Sequence, residues 1–176
     1  PLCLAVSDQR LALSSSEFDA LILICLNLTN MPDFQLQQQV DQIAAIDRRL
    51  GQEAVLLHTP LVPGQRCIIT PVGALNRDYD DVRSYGDAAK QAIALAKNAG
   101  AVKPLVWVQK AAGACFEKAA EVVYLAMAQA LWQPLEGREA LGEVVVEPVQ
   151  QLGLVGVDEQ LAVRLTAIET GKRLAR

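Results

Sequence analysis

Residue types that could perform acid–base or nucleophilic chemistry are sparse in this chain of 176 residues. His58 is the single histidine, so a Ser-His-Asp or Cys-His arrangement has one possible base and a multi-histidine metal site is excluded. It follows the apolar run AVLL and precedes Thr59 and Pro60, at the end of a predicted strand. An imidazole there commonly caps a backbone group or faces water, so we interpret His58 as structural.

An acidic cluster, Asp78, Asp80 and Asp81, precedes a predicted helix that begins near Val82. Carboxylates at a helix start complement the helix dipole and accept hydrogen bonds from free N–H groups. Hard cations also bind oxygen clusters, but a calcium loop needs ligands at regular offsets that this segment lacks. We predict helix capping rather than metal binding.

The segment Gln109–Glu117 (QKAAGACFE) follows a predicted strand and opens a predicted helix. Backbone N–H groups and the helix dipole can hold a phosphate at such a place. Gly113 is its one glycine, whereas specific phosphate-binding motifs carry several, so plain turn geometry is the competing interpretation. Cys115 would lie on the first helical turn, where the dipole could lower a thiol pKa, but with no histidine nearby in the sequence we predict a buried thiol.

The charge balance argues against partners that need a positive field. Sixteen basic and twenty acidic side chains give a net charge of -4 and a pI near 5.0, so neither nucleic acid nor an anionic membrane is predicted as a partner. Trp107 and Trp132 are not interleaved with basic residues, and we predict that both pack in the interior. The cations are interpreted as solvated surface: Lys103, Lys110, Lys118, Arg48, Arg49, Arg164, Lys172, Arg173 and Arg176.

Length and composition predict one compact domain, since the chain has a mass of 19.0 kDa and 52% of its residues are hydrophobic. The four cysteines show no CxxC spacing and are predicted to be reduced and mostly buried: Cys3, Cys25, Cys67 and Cys115. No signal-peptide pattern is present, which favours the cytoplasm. The longest apolar stretch, Ala20 to Leu28, is far shorter than the roughly 20 residues needed to span a bilayer.

Apolar runs alternate with helical stripes along the chain, and this alternation predicts an α/β layer fold with a mostly parallel or mixed sheet covered on both faces. The predicted strands are Phe18–Leu28, Ala54–Leu57 paired with Cys67–Thr70, a run that opens at Pro104, and Glu143–Val149, whose Pro148 favours an edge or a strand end. The predicted helices carry four apolar stripes. The first, Leu36 to Leu50, follows a turn and helix-start signal at Asn30, Pro32 and Asp33 and ends at Gly51. The others are Val82 to Ala96 (ending at Asn98–Gly100), Phe116 to Leu131, and Asp158 to Leu174.

The last stripe, through Leu161, Leu165 and Ile168, runs into Arg176 without a glycine or proline stop signal. We therefore expect the chain to be the front part of a longer polypeptide. The segment VDEQLAVRLTAIETGKRLAR, residues Val157 to Arg176, resembles the helix that links the N-terminal and catalytic domains of cytosolic leucine aminopeptidases. Upstream, DYDDVRSYGDAAKQAIALAKNAGAVKPLVWV resembles a helix and strand of the same family.

This resemblance implies a macro-domain-like, three-layer α/β/α domain over residues 1–156 and the start of a linker helix over residues 157–176. It also implies a C-terminal catalytic domain with two divalent metals, zinc or manganese, that removes N-terminal residues from peptides in a cytoplasmic homohexamer. The family's catalytic segments resemble VGKGxxxDxGG and NTDAEGR, and neither occurs here. We assign no catalytic, cofactor-binding or metal-binding residue to this chain. The stretch Leu131–Leu141 departs from the family and indicates a divergent member.

Three functional hypotheses follow. The first is a noncatalytic N-terminal domain of a leucine aminopeptidase-like metalloenzyme, with roles in assembly and substrate access. The second is a stand-alone macro-like module that binds ADP-ribose or another nucleotide through Gln109–Glu117. The third is a structural or oligomerisation domain without a ligand.

Overall fold

The computed structural model describes residues 1–8, 13–133, 140 and 147–174, and within them six strands form one sheet. In chain order the strands are β1 (Leu2–Val6), β2 (Ala20–Cys25), β3 (Val55–His58), β4 (Arg66–Pro71), β5 (Pro104–Val108) and β6 (Gln151–Val155). Their order across the sheet is β1-β6-β5-β2-β4-β3. All neighbours are parallel except β3, which is antiparallel to β4. The predicted mixed, mostly parallel sheet is confirmed.

Helices cover both faces of this sheet. They are α1 (Phe34–Ala44), α2 (Arg83–Asn98), α3 (Ala119–Ala130) and α4 (Glu159–Leu174). The buried residues of α1 pack on one face, and those of α2, α3 and α4 pack on the other. The result is the three-layer α/β/α architecture expected from the sequence. No helix of the described residues combines the length and the apolar character that a membrane span requires.

Strand β2 is the centre of the sheet, and all six of its residues are buried. Leu21 and Leu23 face the α1 side, whereas Ile22 and Ile24 face the side of the other three helices. A strand covered on both faces needs a continuous apolar run rather than an alternating one. The run Phe18–Leu28 therefore predicted this strand correctly, although the strand itself is shorter.

Two further elements also agree with their sequence signals. The predicted strand pair is β3 and β4, in which Leu57 lies opposite Cys67. Helix α2 ends at Asn98, and Gly100 follows with a φ of 77°. Glycine adopts this left-handed backbone conformation without the strain that a Cβ atom would add, which makes it a common helix terminator.

Helix α1 begins where predicted and ends earlier than predicted. The carboxylate of Asp33 accepts hydrogen bonds from the N–H groups of Gln35 and Leu36 and so caps the helix start. The helix ends at Ala44 rather than near Gly51. Asp47 accepts a hydrogen bond from the N–H of Arg49 at 3.0 Å and forms a local turn that competes with helical hydrogen bonding.

The prediction of a strand at Glu143–Val149 is wrong for those of its residues that the structure describes. Residues 141–146 lie outside the described residues, and residues 147–149 form no strand. The strand is instead β6, a few residues later, and it pairs with β1 on one side and β5 on the other. The edge strand β1 was missed as well. Gly153 in the middle of β6 explains part of the miss, because glycine is depleted in strands.

The apolar stripe predicted for α4 is shifted around the helix. Leu165 is buried as expected, but Ile168 is 48% exposed, and the other inward positions are Ala162 and Glu169. Helix α4 packs against β1 and α3, and its Thr166 hydroxyl accepts a hydrogen bond from the N–H of Cys3 at 2.9 Å. The side chain of Leu174 lies outside the described residues.

Two details of the α3 region also differ from prediction. Helix α3 begins at Ala119 rather than at Phe116, which lies in a separate 3₁₀ turn, Ala114–Phe116. Trp132, expected in the interior, is 47% exposed because it follows the end of this helix. Trp107, in β5, packs against the core on the α1 side as expected.

Candidate functional site

The candidate site is the crevice between the carboxyl ends of the neighbouring strands β2 and β5. From β2 the chain leaves through α1, on one face, toward β3 and β4. From β5 it leaves through α3, on the opposite face, toward β6. Adjacent parallel strands whose connections diverge in this way form a topological switch point, where open α/β sheets bind ligands. We call this place the switch-point crevice.

The side chain of Gln109 fills the switch-point crevice. Its Oε1 accepts hydrogen bonds from the backbone N–H groups of Leu26, at 2.7 Å, and Asn27, at 3.1 Å. Its Nε2 donates to the carbonyl of Thr29 at 3.0 Å and to Oδ1 of Asn27 at 3.2 Å. One amide therefore joins the first residue after β5 to Leu26, Asn27 and Thr29 of the loop after β2.

Tyr85 of α2 fixes the backbone on the other side of Gln109. Its hydroxyl donates to the Gln109 carbonyl at 2.9 Å and accepts a hydrogen bond from the N–H of Ala111 at 2.8 Å. Burial raises the pKa of the Tyr85 hydroxyl, and the hydrogen bond from Ala111 opposes this effect. The phenol therefore stays protonated at neutral pH and keeps its donor. Its ring also contacts Phe116, with the centroids 6.1 Å apart.

The rest of the Gln109–Glu117 segment is a turn rather than the start of a helix. Gly113 has a φ of 114°, a backbone conformation that favours glycine, and the 3₁₀ turn follows it directly. The buried side chain of that turn is Phe116, so Cys115 beside it is exposed. The prediction of a buried Cys115 is wrong, because the residue precedes α3 and does not lie on its packed face.

The structure places His58 on the edge strand of the sheet and the acidic cluster directly before α2. His58 is exposed at the end of β3, the edge strand. Asp81 accepts a hydrogen bond from the N–H of Arg83 at the start of α2, which confirms the capping prediction for this residue. Asp80 accepts instead from the N–H of Arg77 within the preceding loop. Within the described residues no group of three or more His, Cys, Asp or Glu side chains could hold a metal ion.

The two arginines of this loop hold the neighbouring carboxylates in their charged form. Hydrogen bonds from Arg77 lower the pKa of Asp80, and those from Arg83 lower the pKa of Asp81. The Arg83–Asp81 pair is at the surface, where ion pairs contribute little to stability. In the other pair Arg77 is exposed, but the side chain of Asp80 is only 4% exposed. They shape the loop before α2 and offer no base with a pKa tuned for catalysis.

A shallow groove of about 480 Å³ lies between the loop after β2 and the start of α1. Polar residues that line this groove are already hydrogen-bonded to neighbouring residues. Asp33 caps α1, and the Gln37 amide accepts from the N–H of Met31 and donates to Asp41 at 2.8 Å. Phe34 is 74% exposed at its rim. The groove adds no acid–base pair to the switch-point crevice.

Sequence reasoning identified the right segment but not the residue that dominates it. Phosphate binding is the less favoured interpretation of the segment that Gln109 begins, and the structure shows that the Gln109 amide itself occupies the backbone donors of the neighbouring loop. A polar residue with several hydrogen-bonding groups directly after a buried strand was the available signal. The partner loop could not be foreseen, since it lies more than eighty residues upstream.

Comparison with known proteins gives one relative by sequence and several by structure. No protein-family model matches the chain. A Caenorhabditis elegans protein named as a proposed aminopeptidase is 31% identical over 155 residues. The match covers 83% of this chain and 28% of that protein, so the chain spans under a third of the curated relative's length.

Solved structures share the fold. A mutant of tomato leucine aminopeptidase superposes with a TM-score of 0.61 at 14% identity, over 96% of this chain and 35% of that one. Leucyl aminopeptidase from Leishmania major in complex with actinonin gives 0.57 at 17% identity, over 98% and 34%. The macrodomain of Thermus aquaticus DarG gives 0.51 at 12% identity, over 89% of this chain and 99% of that domain.

Proposed function

We propose that this chain is the noncatalytic N-terminal domain of a longer aminopeptidase. It is a divergent relative of the N-terminal domain of leucine aminopeptidases. The observation that carries this proposal is the 31% identity to the C. elegans protein over 83% of this chain but 28% of that protein. A single domain of a larger enzyme would match only part of a longer relative, as this chain does. The domain's role would be assembly and control of substrate access.

The reaction itself would belong to the rest of that polypeptide. We propose that it removes N-terminal residues from peptides with two divalent metals, zinc or manganese. Bridged metals activate a water molecule and polarise the scissile carbonyl, and they need several carboxylates in one pocket. The described residues offer no fitting ligand cluster, so no step of that reaction is assigned to this chain. A cytoplasmic homohexamer is the assembly we propose.

The size of the native polypeptide tests this function directly. An antibody raised against this domain should detect, in cells that make the protein, a band well above 19.0 kDa. The material it precipitates should release N-terminal residues from peptides, and a metal chelator should stop the release. A native band near 19.0 kDa would overturn the proposal.

The proposed role in assembly needs a second measurement on the long polypeptide. Light scattering would compare its mass in solution with that of a version lacking residues 1–156. We expect the shortened version to form smaller assemblies or to cleave bulkier substrates faster. Unchanged mass together with unchanged substrate preference would rule out both roles while leaving the identity of the domain intact.

The second candidate function is binding of ADP-ribose or another nucleotide. It is favoured by the likeness to the DarG macrodomain, which extends over 99% of that domain. A ligand at a hundredfold excess over its Kd stabilises a protein by about 2.7 kcal/mol. A clear upward shift of the melting temperature with ADP-ribose would support this function, and an unmoved melting curve would exclude it.

A further inference from the structure

Two consecutive backbone N–H groups point into the switch-point crevice, those of Leu26 and Asn27 at the carboxyl end of β2. Successive backbone N–H groups that converge on one point form a concave site for anions such as phosphate. Here both converge on a single atom, Oε1 of Gln109. The oxygen stands where a phosphate or carboxylate oxygen would stand in a ligand-binding protein of this topology.

We infer that the Gln109 amide is a built-in occupant of the switch-point crevice and that it closes the crevice to anionic ligands. The inference concerns the crevice alone. It does not rest on the aminopeptidase proposal, and it counts against the second candidate function, nucleotide binding. It goes beyond that proposal because it names the residue that separates this domain from a nucleotide-binding module of the same fold.

The amide is held from both ends, which distinguishes it from a side chain that simply lies nearby. Its Nε2 donates to Thr29 and Asn27 while its Oε1 accepts from Leu26 and Asn27. Its backbone is fixed as well, since the N–H of Gln109 donates to the carbonyl of Ile24 at 2.9 Å and its carbonyl accepts from Tyr85.

An anion would have to displace all of these side-chain bonds at once. Displacing the amide would take the Nε2 donor away from the carbonyl of Thr29, whereas Oδ1 of Asn27 would keep the donors it has from the N–H and the hydroxyl of Thr29. Unprotonated phosphate oxygens only accept hydrogen bonds and cannot replace that donor, so the exposed carbonyl of Thr29 would have to bind water instead. The amide carries both a donor and an acceptor, so it suits this loop better than a phosphate does.

The test uses the ¹⁵N-labelled chain and follows the amide signals of Leu26 and Asn27 during titration with inorganic pyrophosphate, then ADP-ribose. In the wild-type protein we expect both signals to stay in place at millimolar ligand. Both amides should also exchange their hydrogens more slowly than the exposed loop amides, because each is hydrogen bonded. Ligand-dependent shifts of these two signals, or exchange as fast as in open loops, would overturn the inference.

The variant Gln109→Ala removes the occupant and should expose both N–H groups. We expect its affinity for pyrophosphate to exceed that of the wild type by at least about tenfold, with shifts centred on Leu26 and Asn27. A folded Gln109→Ala protein, judged by its spectrum, that gains no affinity would overturn the inference. If the variant does not fold, the wild-type titration and exchange data still decide.

Gln37→Ala is the matched control. The Gln37 amide also binds the loop after β2, through the carbonyl of Leu28 and the N–H of Met31, but it leaves the N–H groups of Leu26 and Asn27 untouched. Its loss should loosen the same loop without opening the crevice, so pyrophosphate affinity should stay at the wild-type level. An equal gain in both variants would mean that loop mobility, and not the Gln109 amide, controls access.

Discussion

At the scale of single residues, the four cysteines differ in their surroundings. Cys3, Cys25 and Cys67 are buried, whereas Cys115 is exposed. We predict that one thiol per native chain reacts rapidly with a disulfide reagent and that the other three react only after unfolding, because a thiolate needs solvent access. Counting reacted thiols by mass spectrometry checks this, with Cys115→Ser as the control that should abolish the fast reaction. Fast modification of Cys25 in the native chain would contradict it.

Asp19 makes several long-range hydrogen bonds that no local signal in the sequence indicates. Its carboxylate accepts from the N–H groups of Val102 at 2.7 Å and Lys103 at 2.9 Å. Its carbonyl accepts from the guanidinium of Arg66 at 3.1 Å. It thus ties together the segments that begin β2, β4 and β5, at the end of the sheet opposite the switch-point crevice.

We predict that Asp19→Ala lowers the free energy of unfolding by about 2 to 4 kcal/mol, since hydrogen bonds to charged acceptors contribute about 1.5 to 3 kcal/mol each and solvent reaches this partly exposed site. Urea unfolding followed by circular dichroism measures the change. Asp87→Ala is the control, because Asp87 is exposed on α2 and its nearest cation, Lys90, is 3.6 Å away. Equal, small effects in both variants would show that the Asp19 contacts are dispensable.

At the scale of elements, α4 belongs to the core of this domain, whatever follows it in a longer chain. Leu165 is 1% exposed and joins the core cluster of α2 and α3. Leu165→Ala should lower the free energy of unfolding by about 2 to 5 kcal/mol through lost burial and the remaining cavity. Ile168→Ala, at a position 48% exposed, should change it by less than about 1 kcal/mol. Chemical denaturation of both variants compares them, and equal losses would mean that α4 packs with a different face.

Strand β6 forms because of tertiary contacts, although its local residue propensity disfavours a strand. A Cβ atom at Gly153 would lie 2.4 Å from Cε1 of Phe18, so this position accepts only glycine while the ring stays in place. The hydrogen bonds to β1 and β5 on either side then make the segment a strand. No window of the sequence around Gly153 contains Phe18, so the position of the strand could not be predicted from local residues.

At the scale of the whole molecule, buried thiols link stability to pH. Burial raises the pKa of Cys3 and of Cys25 from 9.0 to about 12. In the unfolded chain these groups ionise above pH 9, while in the folded chain they stay protonated. Their contribution to the free energy of unfolding is therefore complete below pH 9.0 and is lost as the pH rises toward about 12.

We predict that stability falls between about pH 9 and about pH 11, with a slope of up to roughly 1.4 kcal/mol per pH unit for each buried thiol. Denaturation midpoints across this range measure the slope. Lysine and tyrosine side chains titrate in the same range, so the informative comparison is with Cys25→Ala, which should show a shallower decline than the wild type. Parallel declines would assign the effect to those other groups.

The layer architecture and the central elements follow from local signals in the sequence. The continuous run of β2, the stripe of α2 and the Asp33 cap of α1 are local signals: the apolar period, the cap residue and the terminating glycine lie within one turn or one strand of the structure that they specify. At these positions the local interactions agree with the tertiary contacts, so the predictions are confirmed. The absence of family catalytic segments between residues 1 and 176 could also be read directly.

The edge of the sheet and the state of the candidate site depend on contacts between distant parts of the chain. Strands β1 and β6 exist because they pair with each other across about 150 residues of chain. Exposure of Cys115 and Trp132 depends on where their helix begins and ends, to within a residue or two. The closure of the switch-point crevice depends on Gln109 meeting a loop more than eighty residues away. Such contacts are non-local, and the residues around a side chain in the sequence do not indicate which distant residue it will contact.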